Sequence, residues 1–409
     1  MSAVDPAAPA RSGPGPLPAP LPAPLAAAVP VPEAGSGRIP GLDGLRAVSV
    51  LIVFAAHAAI PLPVGAGTGV TVFFFLSGYL ITTLLRREFD RDGRISIRNF
   101  YLRRSLRILP PLYLVVLIAI GLTLTGALAG ALTWLGVGGA VLHFTNVIEV
   151  VGDPTTIAPG LGVLWSLAVE EHFYLIFPFC YLAVRRWLPG WAGAPVFAAG
   201  CLLVLIWRVV LLFGIGRDPA LVYVGTDTRI DSLLFGCLLA VAPVAGLSRL
   251  AARPATALAA AVGGTLLVVA GEHLPGLWSA AVGPTVQGIG LFALVGVVVA
   301  APRMPLTRLL QLRPLVWIGV LSYALYLVHR LIQLLLEQHT DLTTWPRAGL
   351  SLALALLLSL GIHRLVERPC VGLKDRWQRR PGPAPHPVRV TTHADHRPLL
   401  DAASDRPIG

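Results

Sequence analysis

The sequence predicts an all-α integral membrane protein: a polytopic bundle of ten to eleven transmembrane helices with no soluble catalytic domain. Of its 409 residues, 55% are hydrophobic and only 13% charged, and the mean hydropathy is +0.73, well outside the range of globular domains. Apolar runs at 109–125, 192–215 and 348–362 approach or reach the roughly 20 residues that a helix needs to cross hydrocarbon, and such runs recur along most of the chain. The formal charge of +11 falls mostly on arginines in short loops between these runs, a signature of membrane topology rather than of nucleic-acid binding.

Taken in order, residues 1–38 are rich in Pro and Ala (PLPAPLPAPLAAAVPVP) and read as a disordered tail, because the prolines break any helix. They lack a basic n-region and an unbroken apolar h-region, so no cleaved signal peptide is expected. Residues 39–370 form the membrane domain, and 371–409 (including KDRWQRRPGPAPHPVRV) a polar, basic tail. Apolar segments fall near 42–61, 68–86, 109–128, 131–149, 162–184, 192–214, 229–246, 254–271, 279–301, 314–336 and 347–366. The loop at 86–107, RREFDRDGRISIRNFYLRRSLR, is the most basic stretch of the core, which places it and the N-terminus in the cytoplasm.

If all eleven segments crossed, Arg185, Arg186, Arg303, Arg308, Arg313 and the basic C-terminus would lie outside, against the charge bias. Segment 131–149 is weakly hydrophobic and interrupted by glycines and His143. Treating it as a re-entrant or partial helix leaves ten crossings of the inner (plasma) membrane with both termini cytoplasmic. The four cysteines, Cys180, Cys201, Cys237 and Cys370, stand singly in or beside apolar segments and read as small buried hydrophobes. No inverted internal repeat is visible.

The first apolar segment, LRAVSVLIVFAAHA (45–58), carries Arg46 and His57 eleven positions apart. On a helix that spacing puts them within roughly 20° on one face and about 16 Å apart along the axis. An ionisable side chain at that depth is costly and points to function, although an interhelical hydrogen bond accounts for His57 equally well from spacing alone. Arg46 also has Asp43 one turn earlier as a simple ion-pair partner.

Six stretches in order resemble the membrane-bound acyltransferase 3 family. They are IPGLDGLRAVSVLIVFAAHA, GVTVFFFLSGYLI, FYLRRSLRILPPLYLV, LWSLAVEEHFYLIFP, TDTRIDSLLFG and LSYALYLVH, spread over 40 to about 370. The resemblance implies an O-acyltransferase that moves an acyl group from acyl-CoA to a hydroxyl, with acyl-CoA as co-substrate, no tightly bound cofactor and no metal. Its partners would be the acyl-CoA donor, a hydroxyl-bearing small molecule or glycan, and the lipid bilayer, with no nucleic acid. The favoured acceptor is a secondary metabolite such as a macrolide or its sugar, since stand-alone bacterial relatives include enzymes of that kind; O-acetylation of a cell-envelope polysaccharide is the alternative. A small-molecule exporter with an intramembrane proton relay is the rival class.

On that reading His57 is the base that takes the acceptor's proton. Arg46, with Arg103, Arg104 and Arg107 of the basic loop, holds the donor; topology signalling alone is the competing account of the loop arginines. Glu170 and Glu171, paired carboxylates in an apolar helix, are catalytic candidates that orient His57 or bind the acceptor, or else form a salt bridge. Glu170 is slightly favoured, but the sequence does not separate them. Asp227, Arg229 and Asp231 suit hydroxyl recognition or, equally, a helix cap and ion-pair network. Tyr326 and His329 share a helical face and are assigned to the acceptor site. After His329 the family usually continues with Trp and Pro, where this chain has Arg330 and Leu331; His172 stands where the family often has Gln. Phe73, Phe74, Phe75 and Ser77 read as helix packing.

Overall fold

A computed structural model describes residues 39, 41–188, 193–242, 246–247, 249 and 252–378. The two predicted tails lie largely outside them: none of 1–38 is described, and of 371–409 only the part that continues a final helix to Gln378. Every regular element among the described residues is helical. Eight helices are long and apolar enough to cross a membrane by length and composition, so the chain is a multi-pass membrane protein. Two further helices, α1 (Leu42–His57) and α9 (Thr226–Val241), have 16 residues each, about 24 Å and just short of the hydrocarbon thickness.

The spanning helices are α2 (Ala66–Asp92), α3 (Ile97–Leu124), α6 (Trp165–Trp187) and α7 (Gly193–Val209, extended by a π-turn to Ile215). Between α3 and α6 the apolar segment predicted at 131–149 is broken into α4 (Trp134–Val141) and α5 (Thr145–Val151). His143 breaks it with φ of 61°, a conformation costly for a residue with a Cβ. Pieces of eight and seven residues rise about 12 Å at most and cannot cross. After the short α8 (Pro219–Val224) and α9 come α10 (Pro254–Glu272), α11 (Leu277–Ala281), α12 (Gly283–Ala300), α13 (Pro305–Leu310), α14 (Arg313–His339), α15 (Thr344–Ile362) and α16 (Arg368–Gln378).

Helix α2 is central, with 78% of its apolar window buried. It runs parallel to α9, as Arg229 to Thr71 at one end and Arg86 to the Ala240 carbonyl at the other require. The pair meets so closely that a Cβ on Gly236 would run into the Phe75 carbonyl, the small-residue contact that lets membrane helices approach. Helices α1 and α14 are also parallel: Gly319 packs on the Asp43 backbone, and Gln333 donates to the Phe54 carbonyl at 3.1 Å. The Arg46 end of α1 therefore shares one side of the bundle with the basic stretch 86–107, the end of α6 and the start of α14; the loop expected over 86–107 is short, 93–96, and its flanks continue α2 and begin α3. The His57 end shares the other with α4, α5 and α11.

One buried knot locks α7, α9 and α12 together. Arg208, fully buried, donates Nε to the Ala281 carbonyl, Nη1 to the Thr228 carbonyl, and Nη2 to Asp231 Oδ2 at 2.7 Å and to Thr285 Oγ1. Cys201 and Cys237 are buried as expected, directing Sγ at the carbonyls of Asp231 and Gly78. Cys180 is instead exposed and Cys370 half-buried, because they sit on outward faces of their helices.

Candidate functional site

Helices α1, α2, α6 and α14 enclose a narrow cavity of about 60 Å³, room for roughly two waters. Arg46 contributes from α1, Val70 and Phe74 from α2, Glu170 from α6, and Tyr323 and Tyr326 from α14. Helical spacing explains the convergence. Val70 and Phe74 are one turn apart on α2, as are Ser166 and Glu170 on α6, and Tyr323 and Tyr326 are three apart on α14, so each helix turns one stripe inward.

At one end of the seam sits Arg46, half-buried, with Nε lacking a hydrogen-bond partner. Arg107 lies within electrostatic reach of both Arg46 and Arg104, so like charges are concentrated where an anion would relieve them. Arg104 stacks its guanidinium 3.4 Å from the Tyr174 ring centroid and lies 3.8 Å from Glu170 and 4.0 Å from Glu171. Glu170 accepts hydrogen bonds from Ser77 Oγ at 2.7 Å and Tyr174 Oη at 3.2 Å. The structure thus puts Glu170 at the cavity wall and leaves Glu171 behind it, where Oε1 faces Arg104 Nε as an ion pair at 4.0 Å without a hydrogen bond. Arg103 is turned away: it pairs with Glu88 at 3.2 Å, and Glu88 also accepts the Ser96 amide.

At the other end, His57 closes α1. Its Nδ1 lies 3.0 Å from the Val53 carbonyl oxygen and 3.3 Å from His329 Nε2, and the two rings are 5.2 Å apart. His329 is completely buried, with Nδ1 2.7 Å from the Tyr326 carbonyl oxygen. Tyr326 in turn donates Oη to the Val163 carbonyl at 2.9 Å and shares a 2.6 Å hydrogen bond with Ser166. His329, assigned from sequence to the acceptor, is therefore a partner of His57, and neither glutamate bonds the imidazole. Arg330, the next residue, pairs with Glu337 at 3.1 Å and is the cation that bears most on His57.

The three residues predicted in TDTRIDS separate. Asp227 is exposed and accepts from Trp207 Nε1 at 2.7 Å; Asp231 belongs to the Arg208 knot and is fully buried. Neither faces the cavity, because on α9 they lie on faces turned towards α7. Arg229 alone points towards the seam's wall. It donates to Thr71 at 2.8 Å and stands 5.8 Å from the Phe74 ring and 5.3 Å from the Tyr223 ring.

Other contributors escaped the sequence reading: Ser77 and Phe74, both read as packing, anchor Glu170 and line the cavity respectively; Ser166 and Tyr323 also line it. The last two were legible as one-turn neighbours of residues already singled out. Among the described residues no group of three or more metal-ligating side chains gathers.

This arrangement defines a class. Residues 39–364 match the model of the acyltransferase domain family, and the chain belongs to that family. Among particular relatives, it is 30% identical over 384 residues to the peptidoglycan O-acetyltransferase OatA of Listeria monocytogenes, covering 84% of this chain and 59% of that protein. It is 35% identical over 317 residues to the putative peptidoglycan O-acetyltransferase YrhL of Bacillus subtilis, covering 71% and 48%. A putative O-acetyltransferase of Staphylococcus aureus is 33% identical over 209 residues, covering 49% and 34%. The chain spans about half the length of these relatives. No solved structure matches it.

Proposed function

We propose that the chain is an integral-membrane O-acetyltransferase that moves an acetyl group from acetyl-CoA to a hydroxyl of a cell-envelope glycan, with peptidoglycan the leading acceptor. The observation that carries this reading is the seam itself: a narrow cavity lined by the under-partnered Arg46, by Glu170 and by Tyr326, with Arg107 close to Arg46 and with His57 further along α1, joined to Tyr326 through His329. The activities for which the relatives are named favour the envelope glycan over the secondary metabolite that the family resemblance suggested.

The chemistry follows from the two ends. Phosphates and pantetheine bind at Arg46 and Arg107, since guanidinium groups give strong charge-assisted hydrogen bonds to phosphate. The thioester reaches past Glu170 towards His57, about 16 Å along α1. His57 takes the proton of the acceptor hydroxyl as its oxygen attacks the thioester carbonyl, then returns it to the departing thiolate. Room for two waters does not admit a pantetheine arm, so donor binding parts the aromatic side chains of α2 and α14.

Positive-inside bias orients the bundle. The Arg46 side carries the basic stretch 86–107, the end of α2 and the start of α3, together with Arg185, Arg186, Arg303, Arg308 and Arg313, so that side is cytoplasmic. Ten crossings, counting α1 and α9 with the eight longer spans, then put both termini in the cytoplasm and His57 towards the outer face of the plasma membrane. Mass spectrometry of envelope glycans and metabolites from cells with and without the gene tests the proposal. An acetyl mass lost from peptidoglycan on deletion supports it; an acyl group lost only from a secreted metabolite overturns the choice of acceptor.

A further inference from the structure

The two rings at the end of α1 form a hydrogen-bond chain whose proton positions are constrained by its ends. The chain starts at the Tyr326 carbonyl, which only accepts, 2.7 Å from His329 Nδ1. It finishes at the Val53 carbonyl, also only an acceptor, 3.0 Å from His57 Nδ1. Between them His329 Nε2 faces His57 Nδ1 at 3.3 Å. A carbonyl oxygen opposite an imidazole nitrogen demands a hydrogen on that nitrogen, so Nδ1 carries the proton in both rings. His329 Nε2 is then a lone pair, and the single hydrogen on His57 Nδ1 is shared between it and Val53. The opposite arrangement sets two lone pairs against two carbonyls and satisfies neither.

From this geometry we infer that His329 is a positioning residue: it holds His57 in the Nδ1-protonated tautomer, so that Nε2 of His57 is the atom that accepts the substrate's proton. The inference rests on the acyl-transfer reading only for the identity of that proton. The Val53 carbonyl already accepts an amide proton in the helix, so it secures the ring with a second, weaker share, and His329 supplies the directional part. When His57 becomes an imidazolium, its Nδ1 hydrogen already points at the His329 lone pair, and no group has to turn. A neutral imidazole here does what a carboxylate does in a Ser-His-Asp triad, setting tautomer and ring orientation. Its burial keeps water from competing for that lone pair.

The test reads the tautomer directly and the rate separately. Full-length protein labelled with ¹⁵N-histidine in nanodiscs gives the His57 ring signals by difference against His57→Gln. The expected spectrum has Nδ1 protonated and Nε2 bare; a wild-type His57 protonated on Nε2 overturns the inference. His329→Phe keeps the bulk and removes the lone pair, so the Nε2-protonated form should emerge and kcat fall about 10- to 100-fold, a part of the roughly 10²- to 10⁴-fold that acid–base catalysis contributes, with donor KM within twofold. His329→Gln, which can still accept from Nδ1, should recover most of that loss. A folded His329→Phe with unaltered tautomer and kcat also overturns it. Should neither wild type nor variants transfer acetyl while the spectra come out as expected, the acyl-transfer reading fails and the tautomer assignment stands.

Discussion

Two arginine sites in this bundle, the buried Arg208 and the half-buried pair Arg46 and Arg104, look alike in composition and differ in how fully the guanidinium is bonded. In the α7–α9–α12 knot, Arg208 commits Nε and both terminal nitrogens to four acceptors, one of them the carboxylate of Asp231. In the seam, Arg46 leaves Nε without a hydrogen-bond partner, Arg104 Nε and Glu171 Oε1 face each other at 4.0 Å without forming one, and Arg107 adds a like charge. A charge held by preformed partners is scaffold, because water has already been replaced. One kept under-bonded beside a cavity retains capacity for a ligand. The difference teaches that the bonding of the guanidinium, more than residue type, distinguishes these two sites: in the knot it is Asp231 Oδ1, not the arginine, that lacks a hydrogen-bond partner.

Breaking the scaffold side should have the largest effect. Arg208→Met strands the buried Asp231 carboxylate, with an expected loss of about 3–5 kcal/mol; thermal unfolding in detergent would show it as a collapse of folded yield. His57→Gln should do the reverse, leaving the melting temperature unchanged while lowering acetyl transfer about 10²- to 10⁴-fold. Arg46→Gln should raise donor KM about 10- to 100-fold, the worth of one or two hydrogen bonds to a charged group, with little change in stability; an equal fall in melting temperature would move Arg46 to the scaffold class. Ser77→Ala, which removes one hydrogen bond from Glu170, should lower kcat/KM only about fivefold, in line with about 1 kcal/mol.

Much of the fold was legible because lipid imposes one rule, that spanning backbone must be helical. Apolar length located the spans, and the weakness of segment 131–149 anticipated the break at His143. The pairing of helices was not legible, since small-residue contacts such as Gly319 on Asp43 leave no periodic trace. The site followed the same division. Arg46 and His57 were found together because one helix carries both. Asp231 and Arg103 were misplaced because their partners, Arg208 and Glu88, sit elsewhere in the chain and only the packing brings them in. For the same reason His329 read as an acceptor residue rather than as a neighbour of His57.

The central claim is tested most directly with purified protein in nanodiscs, supplied with labelled acetyl-CoA and peptidoglycan fragments. The account predicts ester-linked label on the glycan with the wild type and almost none with a His57→Gln variant of unchanged melting temperature. Equal labelling by the two would contradict it.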